Sequence, residues 1–398
     1  MIFSRVNFVE NRAVSPADVR VENGRVAAIA PAGALRPLPG EEALCCEGLY
    51  LSHGFIDIHV HGGGTGDFMD ATAEAWHAAA ALHLRHGTTA LVPTTLAADT
   101  KGLLAAFETY RACRGGFADG AKFLGVHVEG PYLSPAQCGA QDPAFLRAPD
   151  KAEYAMLLAA CPGILRWTIA PELPGALEMG DWLAAHGVAA SVGHSNATYE
   201  QVREAALHGF RSITHLYSAM STITREGGYR RAGVVESAYL LPGLFCELIA
   251  DGRHLPPCLL QMAYRLIGPE RLCLVTDAMR AAGQTEGESI LGSLADGQRV
   301  IIEDGVAKMP DRTAFAGSVC TGDRLVRTMA GAGGAGIADA VHMATAVPAR
   351  ALGLEQVTGH VVVGRAADLV LFDSDVRVRL VLVDGAVRFR AEEREDEK

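Results

Sequence analysis

The sequence predicts an α/β fold: a TIM-like (β/α)8 barrel carrying a small β-sandwich domain built from both chain ends. Three observations carry that prediction. Eight short apolar segments alternate with longer amphipathic helical ones, both ends of the chain are rich in extended patterns, and 398 residues suit one large barrel plus a satellite. The expected units are 1–51 (first part of the small domain), 52–357 (barrel) and 358–398 (second part).

In chain order, "VENGRVAAIAP" sets Asn23-Gly24 between two extended runs, a dipeptide whose backbone twist suits a hairpin. The barrel strands follow as "GFIDIHVH", "TTALVPTT", "KFLGVHVEG", "LRWTIAPE", "AASVGHS", "RSITHLYS", "FCELIADG" and "LCLVTDAM". Helical stretches such as "TAEAWHAAAALHLRHG", "KGLLAAFETYRACR", "TYEQVREAALHG" and "PPCLLQMAYRLIG" come between them, several ending at a glycine suited to a left-handed cap. The motif G-x-G-x-x-G occurs at Gly331, Gly333 and Gly336, but it joins two helical segments instead of following a strand, so it reads as a loop. The last stretch, "HVVVGRAADLVLFDSDVRVRLVLVDGAVRFR", carries Asp384-Gly385 as a second hairpin turn.

Composition excludes several classes. A net charge of -11 with no cluster of Lys and Arg gives no electrostatic case for nucleic acid or an anionic membrane surface. Nine cysteines with no C-x-x-C read as small buried hydrophobes in a reducing compartment. The charged N-terminus does not fit a signal peptide, and no run approaches the roughly 18 apolar residues of a membrane span. The expected location is the cytoplasm.

In a (β/α)8 barrel the chemistry sits at the C-terminal ends of the strands. Those ends carry His59 and His61 (strand one), Glu129 (three), His194 (five), His215 (six) and Asp277 (eight). Any one histidine in an apolar strand is more often a hydrogen-bonded structural residue than a ligand. Six metal-type ligands at matching positions of five strands are a different matter. Imidazole and carboxylate suit zinc and related divalent ions. Residues two apart on a strand share a face, so His59 and His61 can grip one ion together. A carboxylate on an apolar strand needs a cationic partner, which such an ion supplies to Glu129 and Asp277. His127 shares the face of Glu129 and reads as its support. His53, His77, His83, His86, His186 and His208 lie before strands or on helices, where structural or solvated roles are expected. His254 follows strand seven at the barrel mouth as a substrate contact. Hydrolysis of an amide needs an activated water and a base that passes its proton to the leaving nitrogen; Asp277 is placed for that work, and His254 for stabilising the oxyanion.

The residues resemble the amidohydrolase superfamily and, within it, the N-acetylglucosamine-6-phosphate deacetylases. The segments "GFIDIHVHGGG", "GVHVEGPYLSPAQCGAQ", "SVGHSNATYEQV", "THLYSAMS", "ELIADGRHL", "LCLVTDAMRAAG", "FAGSVCTGDRL" and "GRAADLVLFD" carry that likeness over nearly the whole chain. Many superfamily relatives bridge two metals with a carbamylated lysine on strand four. Strand four here has none, and Glu129 is similar to the family's substitute. The resemblance implies one or two divalent ions (Zn, Fe, Mn or Co), one held by Glu129, His194 and His215 and a second by His59 and His61. It implies Asp277 as general base and acid, His254 as carbonyl contact, and Gln141, Ser218, Ala219 and Ala316 around the sugar. Arg225 corresponds to the phosphate-binding arginine, which in similar proteins reaches across a homodimer interface. The expected ligand is thus a small amino sugar phosphate, and the expected assembly a homodimer. Where the family reads "NAM" and "REPG", this chain has Ser218 and the longer "REGGYRRAGVVESAY", whose Arg230 and Arg231 read either as further phosphate contacts or as a solvated loop. His53 stands where relatives often carry proline. Three other readings are an altered substrate (the galactosamine isomer or an N-acyl amino acid), a cyclic-amide hydrolase, and an inactive barrel used for assembly.

Overall fold

The computed structural model describes residues 1–392. Eight parallel strands form the barrel: Phe55–Val60, Thr88–Thr95, Val126–Glu129, Ile164–Ile169, Ala189–Val192, Phe210–Ile213, Phe245–Leu248 and Leu272–Leu274. Consecutive strands pair along the whole series. The eighth meets the first at the rim instead of through a ladder. There the Asp277 N–H donates to the His59 carbonyl (2.9 Å), and the N–H groups of His61 and Gly62 donate to the Ala278 carbonyl (2.8 and 2.9 Å).

Alternation along the strands sorts two environments. Ile56, Ile58, Val92, Cys273 and Val275 form an apolar cluster with Val347 and Ala349 of the helix Ala346–Ala351. Toward the barrel mouth the inward side chains are polar: His59, His127, Glu129, Arg166, Thr168, Thr214 and Glu247 are all buried. Contacts between the fourth and seventh strands, which are not neighbours in the sheet, prove the inward direction. Buried polar groups are costly unless bonded. These bond to one another: Thr168 to Thr214 (2.9 Å), Ser191 to Thr214 (2.7 Å), His127 to Thr94 and Thr168 (3.2 and 2.7 Å), and Thr276 to Asp57 (2.5 Å).

The chain ends meet in one mixed sheet, in the order Ala386–Arg390, Val378–Val383, Leu369–Phe372, Tyr50–His53, Ile2–Glu10, Ala13–Glu22 and Arg25–Pro31, with Ala43–Cys45 beside the start of Ile2–Glu10. The two halves join where Leu369–Phe372 runs antiparallel to Tyr50–His53. Both dipeptide turns have positive φ at each residue: Asn23 and Gly24 at 50° and 79°, Asp384 and Gly385 at 53° and 74°. Those values fit type I′ hairpins. One face of this sheet closes on its own core of Phe3, Val6, Val19, Leu51, Leu369 and Leu382. The other, with Val370, Phe372, Val381 and Val383, belongs to the barrel's main core.

Two elements were not foreseen as such. After the eighth strand the chain forms a three-stranded antiparallel sheet, Gly287–Leu291, Gln298–Glu303 and Val306–Lys308, that roofs the barrel mouth. The stretch from 224 to 231, read as a long loop, is an exposed hairpin of Thr224–Glu226 and Tyr229–Arg231 turning on Gly227 and Gly228. The Gly331 to Gly336 segment does join two helices, Gly322–Ala330 and Gly336–Ala344. Among the described residues no helix is long and apolar enough to cross a membrane.

Candidate active site and metal centre

All six predicted ligands meet at the C-terminal mouth of the barrel, and all are buried. His59 Nε2 lies 3.3 Å from His61 Nε2, 3.3 Å from Glu129 Oε1 and 3.4 Å from Asp277 Oδ1. His61 Nε2 is 3.3 Å from Glu129 Oε2 and 3.1 Å from Asp277 Oδ1. On the other side of Glu129, Oε1 sits 3.1 Å from His215 Nε2 and 3.4 Å from His194 Nε2, which are themselves 3.2 Å apart. Glu129 therefore belongs to two triples, with His59 and His61 and with His194 and His215.

The local backbone explains how the side chains converge. The fifth, sixth and eighth strands stop at Val192, Ile213 and Leu274, and the chain then turns left-handed at His194 (φ 46°), His215 (φ 28°) and Asp277 (φ 47°). Left-handed φ is uncommon for such residues and gathers at functional sites.

A divalent ion fits this donor set. Metal–nitrogen bonds of about 2.0–2.1 Å in a tetrahedral arrangement put neighbouring ligand atoms about 3.3 Å apart, the spacing found here. The tautomers agree. His194 Nδ1 donates to the Gln137 carbonyl (3.0 Å) and His59 Nδ1 to Glu247 Oε2 (3.0 Å), which leaves both Nε2 lone pairs facing inward. Charge agrees as well. Burial pulls the His61 imidazole down, but Asp277 and Glu129 outweigh it and hold it at about 9. Burial pushes Asp277 up, yet His59 and His61 hold it at about 2, and Glu129 likewise falls well below the usual carboxylate range against its burial. The carboxylates stay anionic and demand positive charge; a divalent ion meets that demand in place of protons.

A cavity of about 280 Å³ opens onto these ligands. Gln141, Ser218, Ala219 and His254 line it, together with Leu291 and Phe315 from the inserted sheet and the loop after it. Gln141 is also a brace: its Nε2 donates to Glu129 Oε2 (2.7 Å) while its Oε1 accepts the Ala97 N–H (2.8 Å). Ala316 is fully buried and does not line the cavity, although Phe315 and Gly317 on either side do. Arg225, Arg230 and Arg231 lie on the exposed hairpin, away from the cavity wall within one chain. There Arg231 pairs with Glu226 (2.5 Å) and Arg230 donates to the Gly228 carbonyl (3.3 Å). His53 stands apart from the site, accepting the Gly359 N–H at Nε2 (3.2 Å) and donating from Nδ1 to the Gly54 carbonyl (2.7 Å).

Three charged residues escaped the sequence reading. Glu247 and Arg166 form a buried ion pair behind His59. Asp251 accepts His254 Nδ1–H (2.8 Å) and two backbone N–H groups, so it fixes that ring. The signal was available in "LRWTIAPE" and "FCELIADG": a charge at an inward position of an apolar strand, the same argument that singled out Glu129.

Residues 50–388 match the model of the amidohydrolase family. The N-acetylglucosamine-6-phosphate deacetylase of Lysinibacillus sphaericus is 34% identical over 376 residues, covering 93% of each chain. The N-acetylgalactosamine-6-phosphate deacetylase of Escherichia coli O157:H7 is also 34% identical, over 92% of this chain and 93% of its own. Among solved structures, N-acetyl-D-glucosamine-6-phosphate deacetylase from Mycobacterium smegmatis superposes with a TM-score of 0.88 at 33% identity, covering 97% of this chain and 99% of that one.

Proposed function

The chain belongs to the amidohydrolase family and within it to the N-acetylglucosamine-6-phosphate deacetylases, and from that premise we propose that it hydrolyses the acetamide of N-acetyl-D-glucosamine 6-phosphate to D-glucosamine 6-phosphate and acetate. The observation that carries the chemistry is the place of Asp277: a buried, anionic carboxylate beside His59 and His61, on the wall of the same cavity as His254.

In this reading Asp277 takes the proton of the attacking water and returns it to the amide nitrogen as the C–N bond breaks. His254, held at Nδ1 by Asp251, keeps Nε2 for the substrate carbonyl. Ser218 and Ala219 bound the sugar side of the cavity. Glu129, His194 and His215 would hold one divalent ion (Zn, Fe, Mn or Co) and His59 and His61 a second, which would supply Lewis acidity and lower the pKa of water toward about 7. The exposed hairpin supports a homodimer in which Arg225 of one protomer serves its partner's phosphate. The charge and the absence of a long apolar run support a cytoplasmic enzyme. Arg166 and Thr168 stand at the inward positions of the fourth strand, which disfavours a cyclic-amide hydrolase built on a carbamylated lysine there.

The test is acetate release with ion content measured on the same sample. Asp277→Asn is expected to lower kcat by about 10²–10⁴-fold with an unchanged circular dichroism spectrum; turnover equal to wild type would reject the mechanism. One second reading has a specific basis, since relatives named for the galactosamine isomer match at the same identity as those named for glucosamine. Comparing kcat/KM for both acetylated epimers, with and without the 6-phosphate, decides between them.

A further inference from the structure

The ion pair behind the ligands has no part in the chemistry above, and its cost needs a reason. Arg166 and Glu247 are 2% and 1% exposed. A buried pair of this kind is often no more stabilising than apolar residues of the same volume. Here each end is tied down. Arg166 Nη2 donates to Ser191 Oγ (2.8 Å) and Thr214 Oγ1 (3.2 Å), while its Nη1 meets Glu247 Oε1. Glu247 then spends its other oxygen on two ligand-bearing residues at once, accepting His59 Nδ1–H (3.0 Å) and the backbone N–H of His215 (3.1 Å).

The acceptor bears directly on His59. A carboxylate paired with a guanidinium is an acceptor only, so His59 carries a proton on Nδ1, and the neutral ring presents its Nε2 lone pair toward Glu129, His61 and Asp277. Without that acceptor the ring is free to carry its proton on Nε2, where it would oppose a cation. We propose that Glu247, anchored by Arg166, is a positioning residue that sets the tautomer and aim of His59 and so makes the His59–His61–Glu129 triple competent to bind an ion. This rests on the reading of those residues as ion ligands.

The test uses the full-length holoenzyme, dialysed against buffers of graded free Zn2+, with retained ions counted by mass spectrometry. Two variants are compared with wild type. Glu247→Gln alters the acceptor. The double variant Glu247→Leu with Arg166→Met removes both charges and replaces them with apolar volume, which protects the fold where the single change does not; the melting temperature of each ion-stripped protein reports that fold. Wild type is expected to retain two ions, and the folded variants to lose one of them at free Zn2+ concentrations 10–100-fold higher than wild type does, the size of effect usual when a ligand histidine loses its carboxylate partner. Curves for both variants that superpose on wild type overturn the role of Glu247 alone. A folded wild type that retains a single ion overturns the role of His59 as a ligand, and with it the proposal; one that retains none overturns the metal-dependent reading of the whole site as well.

Discussion

Gly193 has room for a hydrogen and nothing more. A Cβ there would come within 2.5 Å of Thr168 Cγ2 and 2.7 Å of Thr214 Cβ, two members of the hydrogen-bonded cluster inside the barrel. The next residue is His194, in its left-handed conformation. Gly193→Ala is therefore expected to cost about 1–3 kcal/mol, as overpacking of a filled interior does, and to displace His194. The urea midpoint and the bound ion content measure the two effects, and a variant with both unchanged would contradict this account of the fifth strand. At this scale the sequence revealed identities: six candidate ligands at five strand ends. It did not reveal conformations. The positive φ of His194, His215 and Asp277, worth about 1–3 kcal/mol of local strain each, is imposed by neighbours distant in sequence, such as the Ser318 N–H that reaches the Asp277 carbonyl at 2.7 Å.

The segment from Pro131 to Arg147 carries Gln141 to the cavity and is clamped by one carboxylate from the helix Lys151–Ala160. Glu153 accepts from Thr100 Oγ1 (2.7 Å), Tyr132 Oη (2.9 Å) and both Nε and Nη2 of Arg147 (3.0 and 2.6 Å). The Arg147 hydrogen bonds lower the Glu153 carboxyl from its ordinary 4.5 to about 2, outweighing its burial. The sign follows from that direction. A depressed folded-state pKa adds stability that is present above the unfolded value and fades as pH falls from about 4.5 toward about 2. Glu153→Gln is expected to lower the melting temperature at neutral pH and to flatten its decline in that acid window, as a series of thermal melts would show. Equal slopes for variant and wild type would remove Glu153 from the account. Among the elements, the eight barrel strands were legible because each is a short apolar run ended by turn residues. The three-stranded insertion was not, because "GESIL" and "QRVIIE" are half-exposed and too short for their alternation to stand out from loop sequence. The hairpin at 224–231 was hidden for a related reason: all six of its strand residues are exposed, so burial left no pattern to read.

For the whole molecule, five of the barrel's eight strands contribute a candidate ligand, so an ion bound at the mouth would link elements from His59 to Asp277. A ligand that binds only the folded chain stabilises it by mass action, about 4 kcal/mol at a thousandfold excess over Kd. Chelation is accordingly expected to lower the melting temperature, and return of Zn2+ or Mn2+ to restore it. A melting temperature indifferent to chelator would argue that these side chains hold no ion. The sequence by itself determined the repeating strand–helix plan, the meeting of the two ends in one small domain, and the roll of metal-type ligands. These are local or additive signals: hydrophobic period, turn dipeptides, and residue type at strand ends. Tertiary structure alone decided which polar groups face one another across the barrel. Arg166 reaches Glu247 and Glu247 reaches His59 only because a closed sheet points every second side chain at a common axis, and no spacing along a linear chain encodes which of them meet there.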